Sequence, residues 1–222
     1  MILPDAIQET ITVLSHRYEA SNLGNKRNSL NELLYIIISL RTTDPSTQRT
    51  YLRFKKVFPK WVNVYFAPVN KIATVLKKAG LSRQKARNLK LILKKIRQDW
   101  KTLSLKRLKY LGNDPLEKYL LSLPGIGIKS TRCIMMYSFN RKVFPVDSHC
   151  FRIIKRLGWI EQDSKYTTRV QDKIQELIPA KNRYRLHVNL IQHGRKICFP
   201  FRPHCKVCFL SKLCKYYRLH KI

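Results

Sequence analysis

Apolar residues along this chain recur with the 3.6-residue period of an amphipathic helix, and the strict alternation that marks strands is scarce. Ile7, Ile11, Val13 and Leu14 share one such face near the start of the chain. Residues Leu30 to Leu40 are mostly apolar, which predicts a second and central helix. Thr43 and Asp44 before Pro45 read as a cap with proline at the first helical position, opening a helix through Phe58. The same periodicity predicts helices over 68–78, 82–99, 104–111, 115–123, 128–140, 148–158, 166–178 and 182–197. An all-α protein is expected, with no repeat or low-complexity linker interrupting it.

Composition changes the picture most through charge. The 222 residues suit one large domain or two small ones. Lys and Arg number 45 against 13 Asp and Glu, a formal net charge of +32. Self-repulsion at that level opposes compaction, and the surface suits a polyanion. The cations run from Lys26 to Lys221, interleaved with apolar positions, so a detachable basic tail is not the explanation. Charge alone does not separate DNA from RNA or acidic lipid.

The opening residues MILPDAIQET lack the positive segment and apolar run of a signal peptide. The longest apolar stretch, Leu33 to Leu40 broken by Ser39, is too short to span a bilayer. An intracellular, reducing compartment and no membrane partner are expected.

Four of the six cysteines crowd into Cys198-x6-Cys205-x2-Cys208-x5-Cys214. Thiolates gathered in so short a loop select zinc or an iron–sulfur cluster. A zinc ribbon pairs two CxxC knuckles across a longer insert, whereas only Cys205 and Cys208 form such a knuckle here. The spacing favours a cluster over an isolated zinc ion. The helices just before the loop (166–197), with the first helix, are its natural support. Cys133 and Cys150 sit in apolar surroundings and read as small core residues.

Leu121 to Asn140, LSLPGIGIKSTRCIMMYSFN, reads as a helix end, a Leu123-Pro124-Gly125-Ile126-Gly127 turn and a second helix. Gly125 and Gly127 permit a tight backbone, and N–H groups at a helix start can hold a phosphate without reading sequence. Lys129 falls in the first turn of the second helix. A cation there opposes the positive helix end, which favours the uncharged amine and makes Lys129 a candidate nucleophile. A helix over 129–140 rises about 18 Å, and an extended 141–147 returns about 23 Å. The Asp147 carboxylate can therefore come back beside Lys129; the competing role for Asp147 or Ser148 is a helix cap. His149 is expected to be structural rather than a metal ligand.

Taken together, Leu123-Pro124-Gly125-Ile126-Gly127-x-Lys129, Val146-Asp147-Ser148-His149 and the cysteine loop resemble the helix–hairpin–helix DNA glycosylases of the endonuclease III family. Ser39-Leu40-Arg41-Thr42-Thr43-Asp44 is similar to that family's segment beside the lesion pocket, and Gly80-Leu81 to its DNA-wedge loop. The resemblance implies a six-helix barrel carrying the hairpin (26–142) and a helical domain around a 4Fe-4S cluster (1–25 with 143–222). The family's active site lies in the cleft between those domains. It implies Lys129 and Asp147 as catalytic residues, Arg41, Leu81, Gly125, Gly127 and Ile128 as DNA contacts, and Cys198, Cys205, Cys208 and Cys214 as cluster ligands. The implied protein is a monomeric bifunctional glycosylase and AP lyase of base excision repair. Its expected partner is duplex DNA with a damaged base, above all an oxidised pyrimidine, or an abasic site.

Two departures bear on substrate. Arg41 replaces the glutamine with which endonuclease III fills the gap left by the flipped base, and Ile128 stands at a position that is often basic. Gly127-Ile128-Lys129-Ser130, Phe144-Pro145-Val146-Asp147, Arg156-Leu157-Gly158-Trp159 and Tyr184-x-Leu186-His187 also resemble DEMETER-type 5-methylcytosine glycosylases. Demethylation or mismatch repair is the alternative within the family. A non-catalytic nucleic-acid-binding protein is the alternative outside it, and such a protein needs neither Lys129 nor Asp147.

Overall fold

A computed structural model describes residues 3–19, 23–42 and 44–220, Asp44 by its backbone only. The described residues are helical throughout, with no strand among them. In chain order the helices are α1 (Leu3–Arg17), α2 (Ser29–Ser39), α3 (Asp44–Val57), α4 (Trp61–Phe66), α5 (Val69–Leu76) and α6 (Ser82–Trp100). They continue with α7 (Asn113–Leu121), α8 (Ile128–Phe139), α9 (Ser148–Leu157), α10 (Thr168–Leu177), α11 (Arg183–Lys196) and α12 (Lys215–His220). None is long and apolar enough to cross a membrane. The segment expected as a helix over 104–111 is instead a short 3-10 turn, Lys106–Tyr110, which buries Leu108 and leaves Tyr110 exposed. Helices α4 and α12 have six residues each, too short to show a period. The expected Thr43–Asp44 cap lies outside the described residues.

The chain divides into two compact units, Gly24–Arg141 and Met1–Leu23 with Lys142–Ile222. In the first, α2 is buried on nearly every face, as its unbroken apolar run requires. Leu33, Leu34 and Ile38 from α2, Phe54 from α3, Ile72 and Leu76 from α5, and Leu89, Leu93 and Ile96 from α6 form a fully buried core. In the second, Ile7, Ile11 and Leu14 from α1 join a core with Ile153 and Ile154 from α9, Ile174 from α10, and Leu186 and Leu190 from α11. Helix α9 carries apolar residues at 150, 153, 154 and 157 on one side and Arg152, Lys155 and Arg156 on the rest. Gly158, at φ 86°, ends it in the left-handed region. Cys133 and Cys150 are buried in the separate units, as their apolar neighbours indicate.

Helices α7 and α8 flank the glycine turn. Arg132 of α8 reaches Glu117 of α7 at 3.3 Å with almost no exposure of its side chain. The two glycines of the turn do different work. Gly125 has φ 77°, and a Cβ built there would lie 2.1 Å from the Asn88 amide nitrogen. Gly127 caps α8 in ordinary extended backbone (φ −98°), with nothing within 4 Å of an added Cβ. Conformation therefore demands glycine at 125 alone, and the open space at 127 suits an approaching ligand. Gly125→Ala is expected to cost roughly 2 kcal/mol or more, whereas Gly127→Ser is expected to stay within about 0.5 kcal/mol of wild type. Chemical denaturation followed by circular dichroism measures both.

Candidate active-site residues and the thiol cavity

Lys129 stands half-buried in the first turn of α8, directly after the glycine turn. Its most telling neighbour in charge is Glu32, a carboxylate in the otherwise apolar α2 with no exposure to solvent. Glu32 accepts hydrogen bonds from the Asn25 side-chain amide and the Lys26 N–H, each at 2.5 Å. Burial pushes the Glu32 carboxyl above its usual range; those two bonds and the positive charges of Lys129 and Lys26 pull the other way. Glu32 is absent from the candidates the motifs single out, although a lone acid inside an apolar run is a signal in itself.

Asp147 belongs to the other unit. It is the N-cap of α9, where its Oδ1 accepts the Cys150 N–H at 2.8 Å. The cap expected of Asp147 or Ser148 is thus made by Asp147, and the positive helix end favours its negative charge. Between α8 and α9, Asn140 turns left-handed (φ 51°) and residues 141–147 run without helix. His149 packs tightly against Gly194 and lies 3.1 Å from the Arg152 guanidinium; burial lowers its pKa.

Arg41 and Leu81 share a rare backbone state. Each has a positive φ (55° and 48°), which few residues other than glycine adopt. Arg41 is exposed, and Leu81 is 54% exposed. Leu81 is therefore not a core residue. Gly80 before it has φ 65°. Two neighbouring turns of one unit thus hold strained backbone and an outward side chain, a combination that clusters at functional sites.

Cys198, Cys205, Cys208 and Cys214 line one small cavity with His193, Arg156, Ile153, Leu157 and Tyr216 among its walls. Among the described residues no three His, Cys, Asp or Glu side chains draw close enough to hold a single metal ion. Burial pushes the Cys208 thiol up to about 11, and also raises Cys205 and Cys214, with other cysteines of the cavity adding to each. Four thiolates there need a compensating positive centre, the condition under which buried cysteines bind metal.

The protein supplies part of that compensation. Arg156 Nη1 donates to Cys198 Sγ at 3.2 Å and to the Phe199 carbonyl at 2.7 Å. Arg152 donates to the Cys198 carbonyl at 2.8 Å. His193 is buried, with a pKa pushed down to about 4, first by burial and then by Arg152; its Nε2 lies 3.6 Å from Cys208 Sγ. Its Nδ1 lies 3.2 Å from the hydroxyl of Tyr18, the residue that follows α1. The sequence reading missed these side chains, although Arg152 and Arg156 recur one helical turn apart.

Comparison with known proteins fits this arrangement. The model of the HhH-GPD superfamily of base excision DNA repair proteins matches residues 34–180. An Arabidopsis thaliana protein named as a DNA glycosylase is 30% identical over 87% of this chain and 65% of its own length. Endonuclease III of Thermotoga maritima is 29% identical over 84% of this chain and 82% of its own. DEMETER-like protein 2 of Arabidopsis thaliana is 28% identical over 71% of this chain, which spans 13% of that longer protein. A solved structure of endonuclease III trapped covalently on DNA covers both chains in full, with a TM-score of 0.85 at 24% identity, which shows a shared fold. The chain belongs to the HhH-GPD superfamily of base excision DNA repair proteins.

Proposed function

We propose that this protein is a bifunctional DNA glycosylase and AP lyase that excises an oxidised pyrimidine and cleaves the resulting abasic site. The observation that carries the reading is an amine, Lys129, in the first helical turn after the glycine hairpin. Family members that cut only the glycosidic bond generally lack a lysine at this position. The partner is duplex DNA bearing a damaged base or an abasic site, bound by a monomer.

The chemistry follows from the two named groups. A base inside the stack hides its sugar, so the nucleotide must first leave the duplex. Leu81 enters the stack as a wedge and Arg41 fills the space left behind. The hairpin, through Gly125, Gly127 and Ile128, holds the backbone phosphate at the start of α8. The Lys129 Nζ lone pair then forms a bond to C1′ as the glycosidic bond breaks, and the base departs with the electron pair of that broken bond. Asp147 stabilises the positive charge that develops on the sugar and relays the proton lost by the amine. The sugar ring opens to a Schiff base between C1′ and Lys129. Loss of a C2′ proton then expels the 3′ phosphate, and water releases the amine.

Cys198, Cys205, Cys208 and Cys214 would hold a 4Fe-4S cluster on this reading; their number, their spacing and the one cavity they share support it. Such a cluster would be structural, with Arg195 and Lys196 at the end of α11 and Arg202, Lys206 and Lys212 in the loop as the cations that phosphate would meet. DEMETER-like segments favour 5-methylcytosine as the second substrate to test.

Lys129→Gln is expected to abolish borohydride-trapped complexes with an oxidised-pyrimidine duplex and to keep DNA binding. Asp147→Asn is expected to lower turnover by about a hundredfold or more, with little loss of stability because asparagine caps a helix as well as aspartate does. Single-turnover assays beside circular dichroism separate these effects, and trapping of Lys129→Gln at the wild-type rate would remove the nucleophile assignment. Anaerobically purified protein is expected to be brown and to contain iron; zinc without iron contradicts the cluster. The logarithm of duplex affinity is expected to fall steeply with the logarithm of salt concentration, as counterion release requires.

A further inference from the structure

Lys85 is the one lysine of α6 whose side chain is buried, with 3% exposure. Its ammonium donates to three acceptors: the Ile38 carbonyl at 2.8 Å, the Ala79 carbonyl at 2.7 Å and the Thr42 hydroxyl at 3.1 Å. An ammonium has three N–H donors, so this arrangement satisfies it in full. The Thr42 hydroxyl donates its own proton to the Ala79 carbonyl at 2.6 Å. The Lys85 backbone adds a fourth link, its N–H bonding the Leu81 carbonyl at 2.9 Å.

These partners have a common property. Ile38 and Thr42 stand on either side of Arg41; Ala79 and Leu81 stand on either side of Gly80. One residue therefore brackets both turns that hold positive-φ backbone, and a second bond, from Ser46 Oγ to the Lys78 carbonyl at 3.1 Å, runs alongside. Burial lowers the Lys85 pKa to about 8, against which the three acceptors favour the charged form. The ammonium predominates at neutral pH. A buried charge with this much desolvation to offset is an expensive way to join two loops if apolar packing would do. What it adds is direction, since each carbonyl and the hydroxyl are held at a set distance and angle.

We propose that Lys85 is a positioning residue that clasps the Arg41 turn and the Gly80–Leu81 turn into one two-pronged element, so that wedge and filler enter the duplex together. The proposal rests on the reading above that Leu81 and Arg41 penetrate the stack. Lys85 touches neither the DNA nor the reacting sugar in this role. It acts by keeping Leu81 and Arg41 at a fixed separation, which makes base flipping a single concerted insertion rather than two independent ones.

The test compares the iron-loaded wild type with Leu81→Ala, Lys85→Met, Thr42→Val and the double variant Leu81→Ala/Lys85→Met. Flipping is read from the fluorescence rise of 2-aminopurine in a duplex. Borohydride trapping is read on an abasic site in duplex and in single-stranded DNA, the latter needing no wedge. Lys85→Met is expected to slow flipping, and to lower the duplex-to-single-strand ratio of trapping rates, by about tenfold, the size of one charge-assisted hydrogen bond. Thr42→Val removes one hydroxyl and is expected to shift both readouts in the same direction even if Lys85→Met folds poorly. The double variant is expected to be no slower than the slower single one, because both changes disable the same element. Slow flipping by Leu81→Ala beside wild-type flipping by Lys85→Met or by Thr42→Val overturns the clasp alone. Wild-type flipping by Leu81→Ala overturns the wedge reading itself, and the clasp with it.

Discussion

Uncompensated positive charge is the constraint on which everything else in this molecule depends. Forty-five basic side chains face thirteen acidic ones, so ion pairs such as Lys95–Asp99 and Arg132–Glu117 can take up only a minority of the cations. The remaining cations must be held apart by the fold or neutralised from outside. Each unit meets this with an apolar core that excludes charge, so that the repulsion is spread over solvated surface where salt screens it within about 8–10 Å. A polyanion that binds only the folded state then adds stability as well as function. Where a cation is drawn inward, as at Lys85, Arg132 and Arg156, it meets carbonyls, a carboxylate or a thiol.

The same constraint organises the chemistry. Buried acids are scarce, so the few that occur have marked effects. Glu32 lies inside α2 with its charge directed at Lys129 and Lys26, and Asp147 closes the first turn of α9. Around the four cysteines the order is reversed: thiols that resist ionisation sit beside arginines that favour it. A donor set of that kind is compatible with a metal centre of positive charge, and its loop carries Arg202, Lys206 and Lys212.

Much of this was legible in the sequence because it rests on short-range chemistry. The 3.6-residue period gave α2, α6 and α9 to within a residue or two, and the spacing of the cysteines pointed to one cavity. The glycine turn was read as a pair of equals, yet only Gly125 is conformationally bound; the reason, Asn88 pressed against it, comes from a helix far away in sequence. The segment 104–111 misled because three leucines in a basic context, Leu105, Leu108 and Leu111, mimic a helical face, while its chain turns as a 3-10 segment. Lys85 and Glu32 escaped notice for a related reason. Each is a charged residue on an apolar face, and sequence alone does not show which distant carbonyls or N–H groups will receive it.

The central claim is that the amine of Lys129 becomes covalently joined to the sugar of a damaged nucleotide. Its most direct test is to treat the iron-loaded protein and an abasic-site duplex with borohydride, digest the product and locate the reduced sugar adduct by mass spectrometry. The account predicts a single adduct on Lys129 Nζ. An adduct on another lysine or on the N-terminal amine, or no adduct from protein that binds the duplex, would contradict it.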